Sequence, residues 1–203
     1  HLPADVSLLD LGEHHLKGLL RAELIHQVNA PDLQQDFPAL NSIPTATNNL
    51  PTQLTSFIGR ERELKDAKEK LASARLVTLI GPGGTGKTRL SIQLGTEILS
   101  NFADGVWFIE LAPLTNSDMI LQTVASVLAV RAQAGMPLIN IVTDFLRAKN
   151  LLLIFDNCEH LVEASAQLVD VFLHNAPQVK IIASSRESLG ISGETVFRVP
   201  SLG

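Results

Sequence analysis

The chain has 203 residues, a formal net charge of −5 and 18% charged residues. This length has room for one α/β domain and a smaller appendage. The acidic balance, without a dense run of Lys or Arg, argues against a surface that binds nucleic acid. The single cysteine, Cys158, excludes an internal disulfide and fits a reducing compartment, so we expect a cytoplasmic protein. No apolar run reaches the ~20 residues that would span a membrane.

The first part of the chain predicts an appendage and a linker. Residues 1–30 contain short apolar groups interrupted by glycines, which indicates short strands and turns. Residues 31–55 are rich in Pro, Asn, Thr and Gln, which is typical of a partly extended linker. The letters DLGEHHLKGL at 10–19, followed by AELIHQV at 22–28, resemble the last strands of a class III nucleotide cyclase homology domain. The resemblance covers only the tail of that domain and implies no cyclase activity in this chain.

The remaining residues, 56–203, alternate between apolar strands and helical patterns. Strands are predicted at 76–80, 106–109, 151–155, 179–183 and 196–199. Helices are predicted after residue 59 and at 89–99, 117–130, 138–146 and 161–174. Strands that are apolar on both faces and separated by helices indicate a parallel sheet covered on both sides. We therefore predict a three-layer α/β/α fold with a central parallel sheet. The letters GPGGTGKT at 81–88, after the first strand, make this a P-loop NTPase fold.

The strongest motif lies directly after the first of these strands. Residues 81–88 read GPGGTGKT, which fits the P-loop pattern G-x-x-x-x-G-K-[ST] between a strand and a helix. Glycines let backbone N–H groups converge on a polyphosphate, and the helix N-terminus adds its positive dipole. We expect Lys87 to reach the β- and γ-phosphates and Thr88 to ligate Mg²⁺. The predicted nucleotide-binding residues of this segment are Gly81, Gly83, Gly84, Thr85, Gly86, Lys87, Thr88 and Arg89.

A second part of the predicted site follows the third strand. Residues 151–156 read LLLIFD, and five apolar residues before Asp156 place this carboxylate at the carboxyl edge of the sheet. There Asp156 can help to hold Mg²⁺, although an aspartate before a helix can also be its N-cap. The next residue, Asn157, cannot accept a proton as a general base. Glu159 either polarises the attacking water or complements a helix dipole, and we favour the structural role, which implies slow hydrolysis.

The fourth strand runs into Arg186. An arginine beside the phosphate edge of the sheet could sense the γ-phosphate through a charge-assisted hydrogen bond. The alternative is an exposed arginine in a loop. With this residue, the predicted catalytic set is Lys87, Asp156, Arg186 and Glu159.

Four segments in order resemble one family. These are FIGRE at 57–61, the P-loop, LLLIFDNCEH at 151–160 and ASSR at 183–186. Together they resemble the nucleotide-binding domain of STAND ATPases, in the NB-ARC-like branch of large bacterial signalling and transcriptional regulators. The resemblance covers roughly residues 50–203.

The resemblance implies a switch between ATP and ADP. In such a switch Ile58 and Gly59 would lie against adenine, Arg60 near the nucleotide, and Arg186 would act as the sensor. The resemblance also implies the sheet order 2-3-1-4-5, with the P-loop strand in the centre. Helical and winged-helix regulatory domains would follow residue 203 in a longer chain, together with a nucleotide-dependent oligomer.

The leading prediction is therefore an ATP-binding, slowly hydrolysing, Mg²⁺-dependent regulatory module. The alternative is a non-hydrolysing scaffold that a bound nucleotide stabilises. A small-molecule kinase would share the P-loop but needs an arginine-rich lid. The segment between the second and third strands offers only Arg131 and Arg147 for such a lid.

Overall fold

The computed structural model describes residues 6–15, 23–30, 33, 43–44, 48–53, 57 and 59–201. The chain divides into two compact units, His1–Thr47 and Asn48–Gly203. Within the described part, no helix has the length and the apolar character needed to cross a membrane.

The first unit contains an antiparallel sheet in the order β2-β1-β3. Its strands are β1 (Ser7–His15), β2 (Glu23–Asn29) and the short β3 (Ile43–Pro44). The register between β1 and β2 shifts between Asp10 and Gly12. The predicted strands are confirmed, whereas β3 falls inside the segment predicted as a linker. Its proline is tolerated because β3 lies at an edge of the sheet. The resemblance to a cyclase tail stays a prediction.

The second unit contains a five-stranded parallel sheet with helices on both faces. The strands are β4 (Leu76–Ile80), β5 (Val106–Glu110), β6 (Leu152–Asp156), β7 (Lys180–Ser185) and β8 (Glu194–Arg198). The helices are α1 (Glu61–Ser73), α2 (Lys87–Glu97), α3 (Asp118–Val127), α4 (Leu138–Leu146) and α5 (Val162–Asn175). Short 3₁₀ turns occupy Leu99–Asn101 and Cys158–His160. The predicted α/β fold with a parallel sheet is confirmed.

The order of the strands differs from the expected one. The sheet runs β5-β6-β7-β4-β8, which is 2-3-4-1-5 along this unit, so the implied order 2-3-1-4-5 is wrong. Strand β7 lies between β4 and β6, and five of its six residues are buried, as expected of an inner strand in a parallel sheet that helices cover on both faces. The more exposed β8 lies at the edge. As a result, the end of β7 reaches the site between the P-loop and Asp156.

Two apolar cores hold the layers together. Helices α1 and α2 pack on one face of the sheet, and α3, α4 and α5 pack on the other. Helix α2 approaches closely because its Gly95 has no side chain: a Cβ there would lie 2.8 Å from Ile154 Cδ1 and 3.1 Å from Val106 Cγ1. This approach positions the helix that carries the P-loop lysine.

Residues before α1 cover the free edge of β5. The Asn49 side chain accepts a hydrogen bond from Phe108 N at 2.6 Å and donates to Phe108 O at 2.8 Å. Asn48 forms a parallel bridge with Val106. These contacts satisfy backbone groups that an edge strand otherwise exposes. The second unit therefore begins at Asn48, within the predicted linker.

Candidate nucleotide-binding site

The P-loop joins the end of β4 to the start of α2 in a shape that depends on glycine. Gly84 and Gly86 have φ values of 77° and 82°, in the left-handed region where other residues are strained. A Cβ at Gly83, Gly84 or Gly86 would meet no atom within 4 Å, so the space beside these residues is open. Thr85 Oγ1 closes the loop by donating to Pro82 O at 2.9 Å. Such a loop can surround an anion with its backbone N–H groups.

Gly81 has a second reason to be glycine. A Cβ on this residue would lie 2.9 Å from Val199 O and 3.1 Å from Thr85 Oγ1. Val199 in turn donates its N–H to Ile80 O at 2.8 Å. Close packing of the P-loop against the chain after β8 therefore requires a glycine here, in addition to its predicted place in the nucleotide site.

Lys87 supplies a buried positive charge. Lys87 is only 8% exposed, and its Nζ donates hydrogen bonds to Gly81 O at 2.8 Å and to Pro82 O at 3.1 Å. No carboxylate of the described residues forms an ion pair with this amine. A buried charge without a counter-charge is costly, and an anion in the adjoining loop would offset that cost. The loop and Lys87 thus fit a phosphate group.

Asp156 receives hydrogen bonds from two hydroxyl groups. Thr88 Oγ1 lies 2.9 Å from each carboxylate oxygen, and Ser184 Oγ donates to Oδ1 at 2.5 Å. A hydroxyl beside a carboxylate is the kind of oxygen pair that holds Mg²⁺ together with substrate phosphates. The N-cap alternative for Asp156 is wrong, because α5 begins at Val162 with Leu161 as its N-cap. Ser184, at the end of β7, was not among the predicted site residues.

Glu159 and Arg186 meet at the edge of the site. Arg186 Nε donates to Glu159 Oε1 at 3.2 Å, and the two side chains are 68% and 17% exposed. With its amide nitrogen facing Glu159, Asn157 donates to the two carboxylate oxygens at 3.0 and 3.2 Å. Glu159 lies in the 3₁₀ turn Cys158–His160 and not in the first turn of α5. Its carboxylate is engaged with two donors.

Arg60 ties the segment before α1 to the end of β8. Arg60 is 5% exposed, and its Nη2 donates a hydrogen bond to Pro200 O at 2.9 Å. Gly59, with φ at 80°, donates its N–H to Glu61 Oε1 at 3.2 Å. Ile58 lies outside the described residues, so its predicted contact with adenine stays a prediction.

Arg89 lies in the first turn of α2, one residue after Thr88, and is exposed. Its backbone carbonyl accepts a hydrogen bond from Gln53 Nε2 at 3.3 Å. The predicted nucleotide contact of its guanidinium stays a prediction.

A cleft of about 470 Å³ opens beside the P-loop. It is lined by Ile80, Gly81, Pro82, Arg186, Arg198, Val199, Pro200 and Ser201. Arg198, at the end of β8, was not predicted as a site residue. No local motif marks Arg198, and the segment ASSR at 183–186 gave Ser184 no predicted role, because both residues reach the site only through the order of the strands.

The fold and this arrangement define a P-loop NTPase. More narrowly, a family model described as an AAA domain matches residues 70–188, more than half of the chain, so the chain belongs to this family. Membership of this family implies that the chain binds a nucleotide, commonly together with Mg²⁺.

Two relatives with similar sequences come from Mycobacterium tuberculosis. The chain is 37% identical over 165 residues to an uncharacterized protein of Mycobacterium tuberculosis, a match that covers 81% of this chain and 41% of that protein. It is 42% identical over 132 residues to a protein of the same species that is provisionally named an HTH-type transcriptional regulator, covering 65% of this chain and 15% of that protein. The chain thus spans less than half the length of each.

A solved structure shows the same fold. Cdc6p from Pyrobaculum aerophilum superposes with a TM-score of 0.54 at 19% identity, over 74% of this chain and 46% of that one. At this identity the likeness supports the fold alone.

Proposed function

We propose that the chain is an ATP-binding, slowly hydrolysing switch module of a multidomain bacterial regulator. The observation that carries the proposal is the buried Lys87 amine, which has only backbone carbonyls as partners and lies against an open glycine loop. Membership of the AAA family supports nucleotide binding. The choice of adenine follows from the resemblance to STAND ATPases and is part of the proposal.

Each residue of the site has a role in this proposal. The P-loop and Lys87 bind the phosphates, and Thr88 and Asp156 hold Mg²⁺, which would offset phosphate charge when bound. Ser184 keeps the Asp156 carboxylate turned towards Thr88 through its hydrogen bond. Arg186 senses the γ-phosphate. Hydrolysis is slow because Asn157 is no base and the Glu159 carboxylate already accepts hydrogen bonds from Arg186 and Asn157.

The regulatory role rests on similarity to larger proteins. One relative carries the name of a transcriptional regulator, and the chain spans only 15% of its length. In our proposal the switch acts in the cytoplasm on helical and winged-helix domains that follow it, and the assembly forms a nucleotide-dependent oligomer. The unit before Asn48 would be the end of a cyclase-like domain.

One observation favours a second function, a nucleotide-stabilised scaffold that does not hydrolyse ATP. The Glu159 carboxylate already accepts hydrogen bonds from Arg186 and Asn157, so it is not free to act as a general base. A measurement of phosphate release from ATP distinguishes the two functions. Turnover that Asp156→Ala abolishes supports the switch, and the absence of turnover in a longer chain supports the scaffold.

The experiment that tests nucleotide binding starts from the purified chain. The protein is denatured, and any released nucleotide is identified by chromatography. The measurement is repeated after incubation with Mg·ATP and with Mg·GTP. Recovery of ADP, or uptake of adenine nucleotide only, is the expected result. Absence of uptake of either nucleotide, also in a chain extended past Gly203, would overturn the proposal.

A further inference from the structure

Two arginines reach the cleft beside the P-loop from opposite sides. Strand β4 pairs with β7 on one side and with β8 on the other. Arg186 directly follows β7, and Arg198 is the last residue of β8, opposite Ile80. Both line the cleft together with Gly81 and Pro82, the first two residues of the P-loop.

The charges of these arginines are not balanced inside the cleft. None of the residues that line it is acidic. Arg186 is offset by Glu159, whereas Arg198 is exposed and forms no ion pair within the described part of the chain. The cleft therefore carries a net positive charge, which attracts an anion.

A third guanidinium supports the conclusion that the cleft attracts an anion. Arg60 donates through Nη2 to the carbonyl of Pro200, a residue of the cleft wall. Its Nη1 is buried and has no hydrogen-bond partner in the described structure. A buried donor without a partner is costly, so an acceptor near Pro200 would stabilise this end of the cleft.

We propose that Arg198 is a further phosphate-binding residue, which holds the polyphosphate of the nucleotide against Gly81 and Pro82 from the side opposite Arg186. The inference rests on the proposed function, because the cleft shares these two residues with the P-loop. A planar guanidinium suits phosphate, since it donates two parallel hydrogen bonds. Mg²⁺ offsets only part of the charge of a triphosphate, and Arg198 supplies a positive charge that no described carboxylate already neutralises.

The test is isothermal titration of the 203-residue chain with tripolyphosphate, which has neither base nor ribose, and with Mg·ATP. We expect Arg198→Gln to weaken binding of both by about 3- to 10-fold, the range for a charge-assisted contact that solvent partly screens. Arg198→Lys should lose less, because it keeps the charge. Arg147→Gln is the matched control, an exposed arginine that pairs with Asp144 and does not line the cleft.

The thermal midpoint of each variant shows whether a loss of affinity comes from the binding site or from a loss of folded protein. The thermal midpoint of Arg198→Gln should equal that of the wild type, because the residue is exposed and its side chain has no ion pair in the described structure to lose. Unchanged affinity of Arg198→Gln, or an equal loss in Arg147→Gln, would overturn the inference.

Lys87→Ala, measured in parallel, distinguishes this inference from the proposed function. If Lys87→Ala weakens binding and Arg198→Gln does not, the inference is wrong and the nucleotide function stands. If tripolyphosphate binds in an Arg198-dependent manner while ATP does not, the anion site stands and the proposed function is wrong. If the wild type binds neither probe, both are wrong.

Discussion

The proposed nucleotide site has a buried floor and a more exposed rim. The floor consists of the P-loop with Lys87, Asp156 and Ser184, which are 8%, 6% and 1% exposed and form short hydrogen bonds with one another or with the backbone. The rim consists of Glu159, Arg186 and Arg198, and Arg186 is 68% exposed in its ion pair. Buried groups keep their geometry because rearrangement leaves polar atoms without partners, whereas exposed ion pairs are weak. We therefore expect the floor to supply most of the binding free energy of the nucleotide. The rim should decide how well the site discriminates between ATP and ADP.

The first prediction concerns the rigidity of the floor and has the largest expected effect. Cys158, two residues after Asp156, is fully buried, and burial raises the pKa of its thiol from 9.0 to about 12. Its reactive thiolate should therefore be about a thousandfold scarcer at neutral pH than that of an ordinary cysteine. Alkylation by iodoacetamide should be slower by at least that factor in the native chain than in guanidinium. Similar rates in both would show that the turn opens readily.

The second prediction removes the charge from the floor. Lys87→Ala should weaken binding of Mg·ATP by roughly 30- to 150-fold, which corresponds to about 2–3 kcal/mol, because a charge-assisted phosphate contact is lost. Isothermal titration measures the change. Lys65→Ala, in α1 with a side chain that is 76% exposed, is the control and should bind as the wild type does. Unchanged affinity of Lys87→Ala would contradict the P-loop assignment.

The third prediction tests the proposed metal ligand Asp156 in the floor. Asp156→Ala should weaken ATP binding about 10-fold when Mg²⁺ is present and much less in EDTA, because the carboxylate acts through the metal. Titrations with and without Mg²⁺ give the ratio. Asp144→Ala, which removes an exposed carboxylate paired with Arg147, should show no dependence on metal. Equal losses in both conditions would mean that Asp156 has only a structural role.

The fourth prediction addresses the rim and has the smallest effect. Glu159→Gln removes the ion pair of Arg186 and should change the ratio of ATP to ADP affinity by only about 2- to 5-fold, because the pair is exposed. Phosphate release should stay near the wild-type rate. A fall of about 100-fold or more would identify Glu159 as the general base and contradict its structural role. Glu163→Gln, in the first turn of α5, is the control.

The floor could be predicted because its parts are local. The letters GPGGTGKT require a backbone that only glycine adopts easily, and the structure has left-handed φ values at Gly84 and Gly86. The apolar run before Asp156 likewise predicts a buried strand that ends in a carboxylate, and β6 ends at this residue. In both cases burial and backbone conformation follow from a few adjacent residues.

The rim and the order of the strands could not be predicted in this way. Strands β4 and β7 both contain apolar residues and are both largely buried, so composition does not decide which of them lies beside β6. Because the expected strand order was wrong, the hydrogen bond from Ser184 to Asp156 could not be predicted. This bond exists only because β7 separates β4 from β6.

The sequence by itself determined the class of fold, the conformation of the glycine-rich loop at 81–88 and the position of the carboxylate beside it, because these depend on local conformation and on the alternation of strands and helices. Only the tertiary structure decided the neighbours of each strand, the contact between Glu159 and Arg186, and the position of Arg198 at the cleft. Those features join residues that are far apart in the chain. Their positions depend on how whole elements pack, and no short pattern of residues encodes that packing.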